Sequence, residues 1–420
     1  MYSSLPMFQR VGHKAFNNDL TNTIKLCRAL DHPEKKFRSI HIAGTNGKGT
    51  SAHSIAAILQ SAGYKTGLHT SPHLKSFTER IRINGEEIGE QNVIDFVMKY
   101  EQLFNEIKPS FFETTVAMAF DHFAREEVDI AVIEVGMGGR FDSTNVITPV
   151  LSLITQIGLD HQQYLGSTLK AIASEKAGII KPEVPVVIGA NQPDLFPVFL
   201  SKAQELNSPL FQTSDYKIVK KEKDYKKQIV DIQHKQKTLF NNLQLSIIGH
   251  YYLSNLPGIL ENVQRLNELG FDISGEVIRT GLKDVQGLTG LKGRWQVLSL
   301  NPLTICDVGH NEDGVSLAMN QLQSIPHKQL HIVWGTVNDK DIKPILSLLP
   351  KDARYYFCEA QIPRAFPVDQ LASEALKIGL NGYPFRTVSD AINAAKKSAN
   401  SDDLVFIGGS TFVVAEIIDL

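Results

Sequence analysis

The chain has 420 residues, 42% hydrophobic and 21% charged, with a formal net charge of -2. That length exceeds one ordinary core and predicts two or three domains; the near-neutral balance excludes a polyanion-binding surface, so nucleic acid is not an expected partner. Cys27, Cys306 and Cys358 are too scattered for a disulfide framework or a zinc spacing. The N-terminal MYSSLPMFQRVGHKAF lacks an apolar h-region and no apolar run reaches about 18 residues, so a cytoplasmic protein without a membrane partner is expected.

Short apolar runs alternate with helical patterns. Residues 37–43 (FRSIHIA) read as a strand, a Gly-rich loop follows, and residues 50–62 read as a helix. Further strands are expected at 129–135, 150–155 and 184–188, with helices at 91–107, 113–125 and 169–177. This rhythm predicts a mostly parallel sheet covered on both faces. From 211 to 248 lysines interleave with apolar residues, which predicts a small antiparallel sheet with one solvated face. Residues 253–269 return to helix, with Gly270 as its stop. The Gly-rich segment 286–293 is the expected boundary between domains at 1–289 and 290–420. Beyond it, strands are expected at 303–307, 330–334, 355–358 and 404–407.

The Gly-rich loop carries the first chemistry. Gly44, Thr45, Asn46, Gly47, Lys48, Gly49 and Thr50 lie between a strand and a helix. Backbone N–H groups and a helix N-terminus there can hold phosphate oxygens, Lys48 can neutralise β- and γ-phosphates, and Thr50 can offer its hydroxyl to Mg²⁺. The spacing departs from the strict G-x-x-x-x-G-K-[ST] loop, which argues against ordinary kinases and GTPases. Glu134 ends a buried-looking strand, where a carboxylate faces the ligand crevice and suits Mg²⁺.

AGTNGKGTS at 43–51 resembles the phosphate loop of the Mur ligase superfamily, whose folate branch contains folylpolyglutamate synthase and dihydrofolate synthase. TSPHL at 70–74, FTERIRIN at 77–84, EVGMGGR at 134–140 with Asp142, Thr144 and Asn145, GLDH at 158–161, and EKAGI at 175–179 are similar to that branch. So are Gly293-Arg294, Asp307 with His310-Asn311, the segments 339–341 and 363–365, and Gly409-Ser410, all in the family's order. The resemblance implies an α/β fold: an N-terminal P-loop-type ATPase domain with a mostly parallel sheet and a small antiparallel sheet, then a C-terminal Rossmann-like domain.

It also implies a function, the ATP-dependent ligation of glutamate to dihydropteroate or a reduced folate, within folate biosynthesis and one-carbon metabolism. A carboxylate is a poor electrophile; ATP converts it to an acyl phosphate, and an amine then displaces phosphate. The cofactors implied are ATP, two Mg²⁺ ions and a carbamylated Lys176; the partners are small molecules, namely a pterin or folate, glutamate and ATP, acting on a monomer. Lys48, Lys176 and His310 take catalytic roles. Asn255, Arg294 and Asp307 join the phosphate loop in binding ATP. Thr50, Ser71, Glu134, His161 and Lys176 form the metal set; for His161 only the resemblance supports the role, since Mg²⁺ prefers oxygen. Pro72, Phe77, Arg82, Phe112, Thr115, Arg140 and Ser410 are the expected substrate contacts. From the residues alone, Ser71 is equally a turn serine, Asn255 and Ser410 equally N-caps, and the phenylalanines equally core.

Two alternatives stay open. A cell-wall Mur ligase would carry a further N-terminal domain for a UDP group, and the loop begins here already at Gly44. A non-catalytic nucleotide-binding module would have no use for Glu134, His161 and Lys176 together.

Overall fold

The computed structural model describes residues 19–338, 342–418 and 420. The 339–341 segment and the N-terminal stretch read for a leader lie outside these residues. The chain divides into two compact units. One takes the chain up to residue 223 with 227–246 and 252–291; the other takes 224–226, 247–251 and 292–420.

The first unit is built on β1 (Arg38–Ala43), β2 (Thr66–His69), β3 (Ile81–Ile83), β4 (Glu86–Glu87), β5 (Ile130–Glu134), β6 (Leu151–Ile154), β7 (Val186–Ile188) and β8 (Leu210–Gln212). They form one sheet in the order β4-β3-β2-β5-β1-β6-β7-β8. The β4–β3 and β3–β2 pairs at one edge are antiparallel, and the other pairings are parallel. β5 (IAVIE) is buried along its whole length, as expected of a parallel strand covered on both faces. The helix Lys48–Ser61 is buried from Thr50 to Leu59 and packs on β5 and β2. β9 (Tyr216–Lys223), β10 (Gln228–His234) and β11 (Lys237–Leu245) make the small antiparallel sheet. Val230, Ile232, Leu243 and Leu245 form its buried face.

The topology creates the crevice. β2, β5, β1 and β6 are adjacent and parallel, so their C-terminal ends lie on one edge. Ser71 follows β2, Glu134 ends β5, Gly44 follows β1 and Thr155 follows β6. This is where open α/β sheets bind ligands.

The second unit repeats the principle with β12 (Gln296–Leu300), β13 (Leu303–Cys306), β14 (Leu330–Trp334), β15 (Arg354–Cys358), β16 (Gly382–Phe385) and β17 (Leu404–Gly408). The order is β12-β13-β17-β14-β15-β16, parallel except for the β12–β13 pair. Asp307 leaves β13, and Gly409-Ser410 leaves β17 beside it.

Three expectations are corrected. The expected helix 91–107 is two helices, Glu90–Lys99 and Glu101–Ile107. The helix expected from 253 spans His250–Glu268, which puts Pro257 inside it. The boundary segment holds a short helix, Val285–Thr289, capped by the Asp284 carboxylate on Gly287 N.

Candidate functional site

The phosphate loop turns on two glycines. Gly44 has φ +147° and Gly47 has φ +92°, conformations that side chains rarely adopt. Space forbids side chains as well. A Cβ on Gly44 would lie 1.8 Å from Thr155 Oγ1, and one on Gly47 2.3 Å from the Asn255 amide oxygen. Gly47 precedes the helix Lys48–Ser61, whose N-terminus has no side-chain cap. Its first-turn amides and the positive end of its dipole suit an anion.

Two amines meet one carbonyl here. Lys48 Nζ donates to Gly44 O at 3.1 Å and lies 3.3 Å from Thr45 O. Lys176 Nζ donates to the same Gly44 O at 2.7 Å. Lys176 is 4% exposed. Burial, and then the Lys48 charge, push its pKa down to about 7. A buried amine that is neutral near physiological pH is a nucleophile, which a surface lysine is not.

Glu134 is buried at the end of β5, and its Oε2 accepts from the Ser71 amide at 2.9 Å. The far end of the 71–76 loop is held by a second carboxylate. Glu79 Oε2 accepts from Leu74 N at 2.7 Å, and Oε1 accepts from Lys75 N at 2.9 Å and Ser76 N at 3.1 Å. Within the loop, Arg80 Nε donates to His73 Nδ1 at 2.7 Å. Burial and then the Arg80 charge hold the His73 imidazole neutral, its pKa pushed down to about 3. Phe77 packs edge-on against Phe111.

The remaining first-unit candidates divide by what they touch. Phe112 lies between His69, 6.0 Å between ring centroids, and Gly136. Thr115 is fully buried and its hydroxyl donates to Phe111 O at 2.7 Å, within its own helix. Arg82 pairs with Glu87 at 3.0 Å and lies against Gly290. Arg140 is exposed and pairs with Glu175. His161 is partly exposed, with Asp160 4.0 Å from its Nε2. Beneath the 136–140 loop runs a buried chain in which His41 Nε2 donates to Thr144 Oγ1 at 2.8 Å and Thr144 Oγ1 donates to Asp142 Oδ1 at 2.5 Å. Asp142 Oδ2 accepts from Met137 N at 2.9 Å and so fixes that loop.

In the second unit Asp307 is buried and accepts three hydrogen bonds. Its Oδ1 accepts from Gly309 N at 2.7 Å, and its Oδ2 from Trp295 N at 2.8 Å and Tyr251 Oη at 3.0 Å. Burial raises its pKa, and the Arg294 charge opposes that rise. Asp307 therefore clamps the segment that carries Arg294. His310 Nδ1 donates to Val308 O at 3.0 Å. Ser410 caps the short helix Thr411–Ala415, accepting from Val413 N at 3.2 Å.

The Mur ligase middle domain matches residues 42–258, and the Mur ligase glutamate ligase domain matches 293–411. The dihydrofolate synthase/folylpolyglutamate synthase of Bacillus subtilis (strain 168) is 32% identical over 405 residues, covering 94% of this chain and 92% of its own. The chain belongs to the folylpolyglutamate synthase/dihydrofolate synthase branch of the Mur ligases. The solved structure of E. coli FolC in complex with DHPP and ADP is 29% identical with a TM-score of 0.85, covering 97% of this chain and 94% of that one. The Yersinia pestis bifunctional folylpolyglutamate synthase/dihydrofolate synthase, with Mn, AMPPNP and L-glutamate bound, is 30% identical with a TM-score of 0.84, covering 97% and 95%.

Of the two readings of Asn255, the N-cap fails: it lies within the helix His250–Glu268, buried and abutting Gly47. Thr155, Glu79 and Tyr251 were missed. Only the Glu79 carboxylate left a sequence signal, Ser76-x-x-Glu79, which is a capping box. Among the described residues no group of three His, Cys, Asp or Glu is arranged to hold a metal. The donors present still suit Mg²⁺, which binds through one or two carboxylates plus phosphates and water rather than an all-protein cage. Glu134 could supply the carboxylate, and the Thr50 and Ser71 hydroxyls could serve as further oxygen donors. No helix among the described residues is long and apolar enough to cross a membrane.

Proposed function

We propose that this chain joins the amino group of glutamate to a pteroate or folate carboxylate, using ATP to form an acyl phosphate. The observation that carries the reading is the crevice of the first unit. A glycine loop with an uncapped helix N-terminus, two amines on the Gly44 carbonyl and the buried Glu134 carboxylate lie at the ends of adjacent parallel strands. In this reading the loop amides and Lys48 bind and orient the ATP phosphates, and Lys48 offsets charge as the γ-phosphoryl leaves. Mg²⁺, held by Glu134, Thr50 and Ser71 with His161 at the rim, would supply further charge neutralisation. The 71–77 loop with Phe112 receives the pterin. Arg294, Asp307, His310 and Ser410 are the second unit's proposed contributors towards nucleotide and glutamate, with Asp307 acting through Arg294.

Lys176 is proposed to work as its carbamate. The neutral Nζ attacks CO₂, an N–C bond forms, one proton leaves, and an oxygen anion of the kind Mg²⁺ prefers results. The pKa near 7 supports this, because an ammonium has no lone pair to attack with. The nitrogen keeps one N–H, which can remain on Gly44 O. A cytoplasmic monomer is the proposed working form, in keeping with three buried, unpaired cysteines.

The test compares dihydropteroate and tetrahydrofolate side by side with purified protein, ATP, Mg²⁺ and glutamate. Phosphate release that requires both glutamate and a pteroate or folate substrate is expected with each of the two. Release indifferent to both would leave a nucleotide-binding module and sink the ligase reading.

A further inference from the structure

The phosphate loop is held from outside its own sequence. Residues 155–158, which follow β6, strap one side of it. Thr155 N donates to Ala43 O at 2.8 Å, Thr45 N donates to Gln156 O at 2.7 Å, and Thr45 Oγ1 donates to Gly158 O at 3.1 Å. Behind this strap the Gln192 amide grips Ile157 twice. Its Nε2 donates to Ile157 O, and its Oε1 accepts from Ile157 N, each at 2.8 Å. From the strap the Thr155 hydroxyl reaches the loop. It is 2.8 Å from Asn46 O and 3.3 Å from Ala43 O. A hydroxyl has one proton to give, so the shorter contact to Asn46 O is the bond.

The direction of that bond matters. In a trans peptide the C=O and the following N–H point opposite ways. Holding Asn46 O against Thr155 therefore aims Gly47 N–H away from the strap. Thr155 is 4% exposed and its Oγ1 stands where a Gly44 Cβ would be, so nothing else can occupy that place. We propose that Thr155 is a positioning residue of the nucleotide site: its hydroxyl sets the Asn46–Gly47 peptide so that Gly47 N–H faces a phosphate oxygen. This rests on the reading that ATP binds at this loop.

The test uses Thr155→Val, which keeps shape and loses the hydroxyl, and Thr155→Ser, which keeps the hydroxyl. Binding of ATP and of a non-hydrolysable ATP analogue is measured at equilibrium, with KM for each substrate and the thermal midpoint. Thr155→Val should weaken nucleotide binding about tenfold, the scale of one lost hydrogen bond at a buried group. KM for folate and glutamate should stay within about twofold, and Thr155→Ser should recover most of the nucleotide affinity. Nucleotide affinity in Thr155→Val equal to wild type, equal losses in both variants, or a fall in thermal midpoint alone would overturn the proposal. If Thr155→Val does not fold, Thr155→Ala against Thr155→Ser makes the same comparison. Failure of the wild-type chain to bind ATP would instead remove the nucleotide reading beneath it.

Discussion

Replacing Lys176 by methionine should make the protein more resistant to unfolding at pH 7 than at pH 9, relative to wild type. The side chain is 4% exposed, and its pKa falls from the ordinary 10.5 to about 7, chiefly through burial. Between these values the unfolded chain holds a proton on Lys176 that the folded chain gives up. The unfolded state binds more protons there, so wild-type stability rises with pH across this window, by about 1.4 kcal/mol per unit. The slope falls by half at pH 7, where the folded group is half protonated, so from pH 9 to pH 7 wild type should lose about 2 kcal/mol that the methionine variant keeps. Loss of the bond to Gly44 O costs the variant about 1 kcal/mol at any pH, which moves the curve without changing its slope. Urea midpoints of both proteins, in CO₂-free buffer across pH 7–9, measure this directly. Parallel curves for the two proteins would refute the claim that Lys176 is buried and neutral. With bicarbonate, mass spectrometry under mild conditions should find wild type heavier by one CO₂, and Lys176→Arg, which cannot form the adduct, should lose ligation while folding normally.

Lys48→Ala should lower turnover about a thousandfold, on the scale of other phosphate clamps, with little change in thermal midpoint, because its contacts are two loop carbonyls; turnover within about threefold of wild type would refute its role. Glu79→Gln should raise KM for folate about tenfold while KM for ATP stays put, since one amide oxygen cannot replace two carboxylate oxygens taking three N–H groups, and equal changes in both KM values would contradict the loop assignment. Asp307→Asn should cost about 2 kcal/mol in urea unfolding, because an amide nitrogen then faces an N–H donor or the Tyr251 hydroxyl, and Tyr251→Phe about 1 kcal/mol; no loss in either would mean that Asp307 is not a clamp.

Much of the fold was legible because parallel strands buried on both faces leave uninterrupted apolar runs. Residues 330–334 read as a strand and are β14, and residues 169–177 read as a helix and are one. The antiparallel sheet showed through its alternation. What failed had identifiable causes. β2, TGLH, is four residues with a glycine and a histidine, and only its neighbours β5 and β3 make it a strand. Pro257 looked like the first turn of a helix. Yet the helix runs through it, because Tyr252, Leu256, Ile259, Leu260 and Val263 are all buried, and that packing outweighs one lost backbone bond.

The site was legible in one respect and opaque in another, for a single reason. The phosphate-binding groups proposed for it are peptide N–H groups, which every residue but proline carries, so the sequence records only where glycine is permitted and where Lys48 stands. Which way each peptide faces is decided elsewhere: Thr155 lies 109 residues from Asn46, and Tyr251 lies 56 from Asp307. Neither partner is marked by spacing or composition. Isolated threonines and tyrosines are ordinary letters until the topology puts β6 beside β1, or the 247–251 segment into the second unit. The motif thus specifies a loop that can bind phosphate, and unremarked residues on adjacent elements select, from the conformations two glycines allow, the one that does. Substitution of Thr155 should then change nucleotide affinity while the motif stays intact. The Thr155 pair measures that separation.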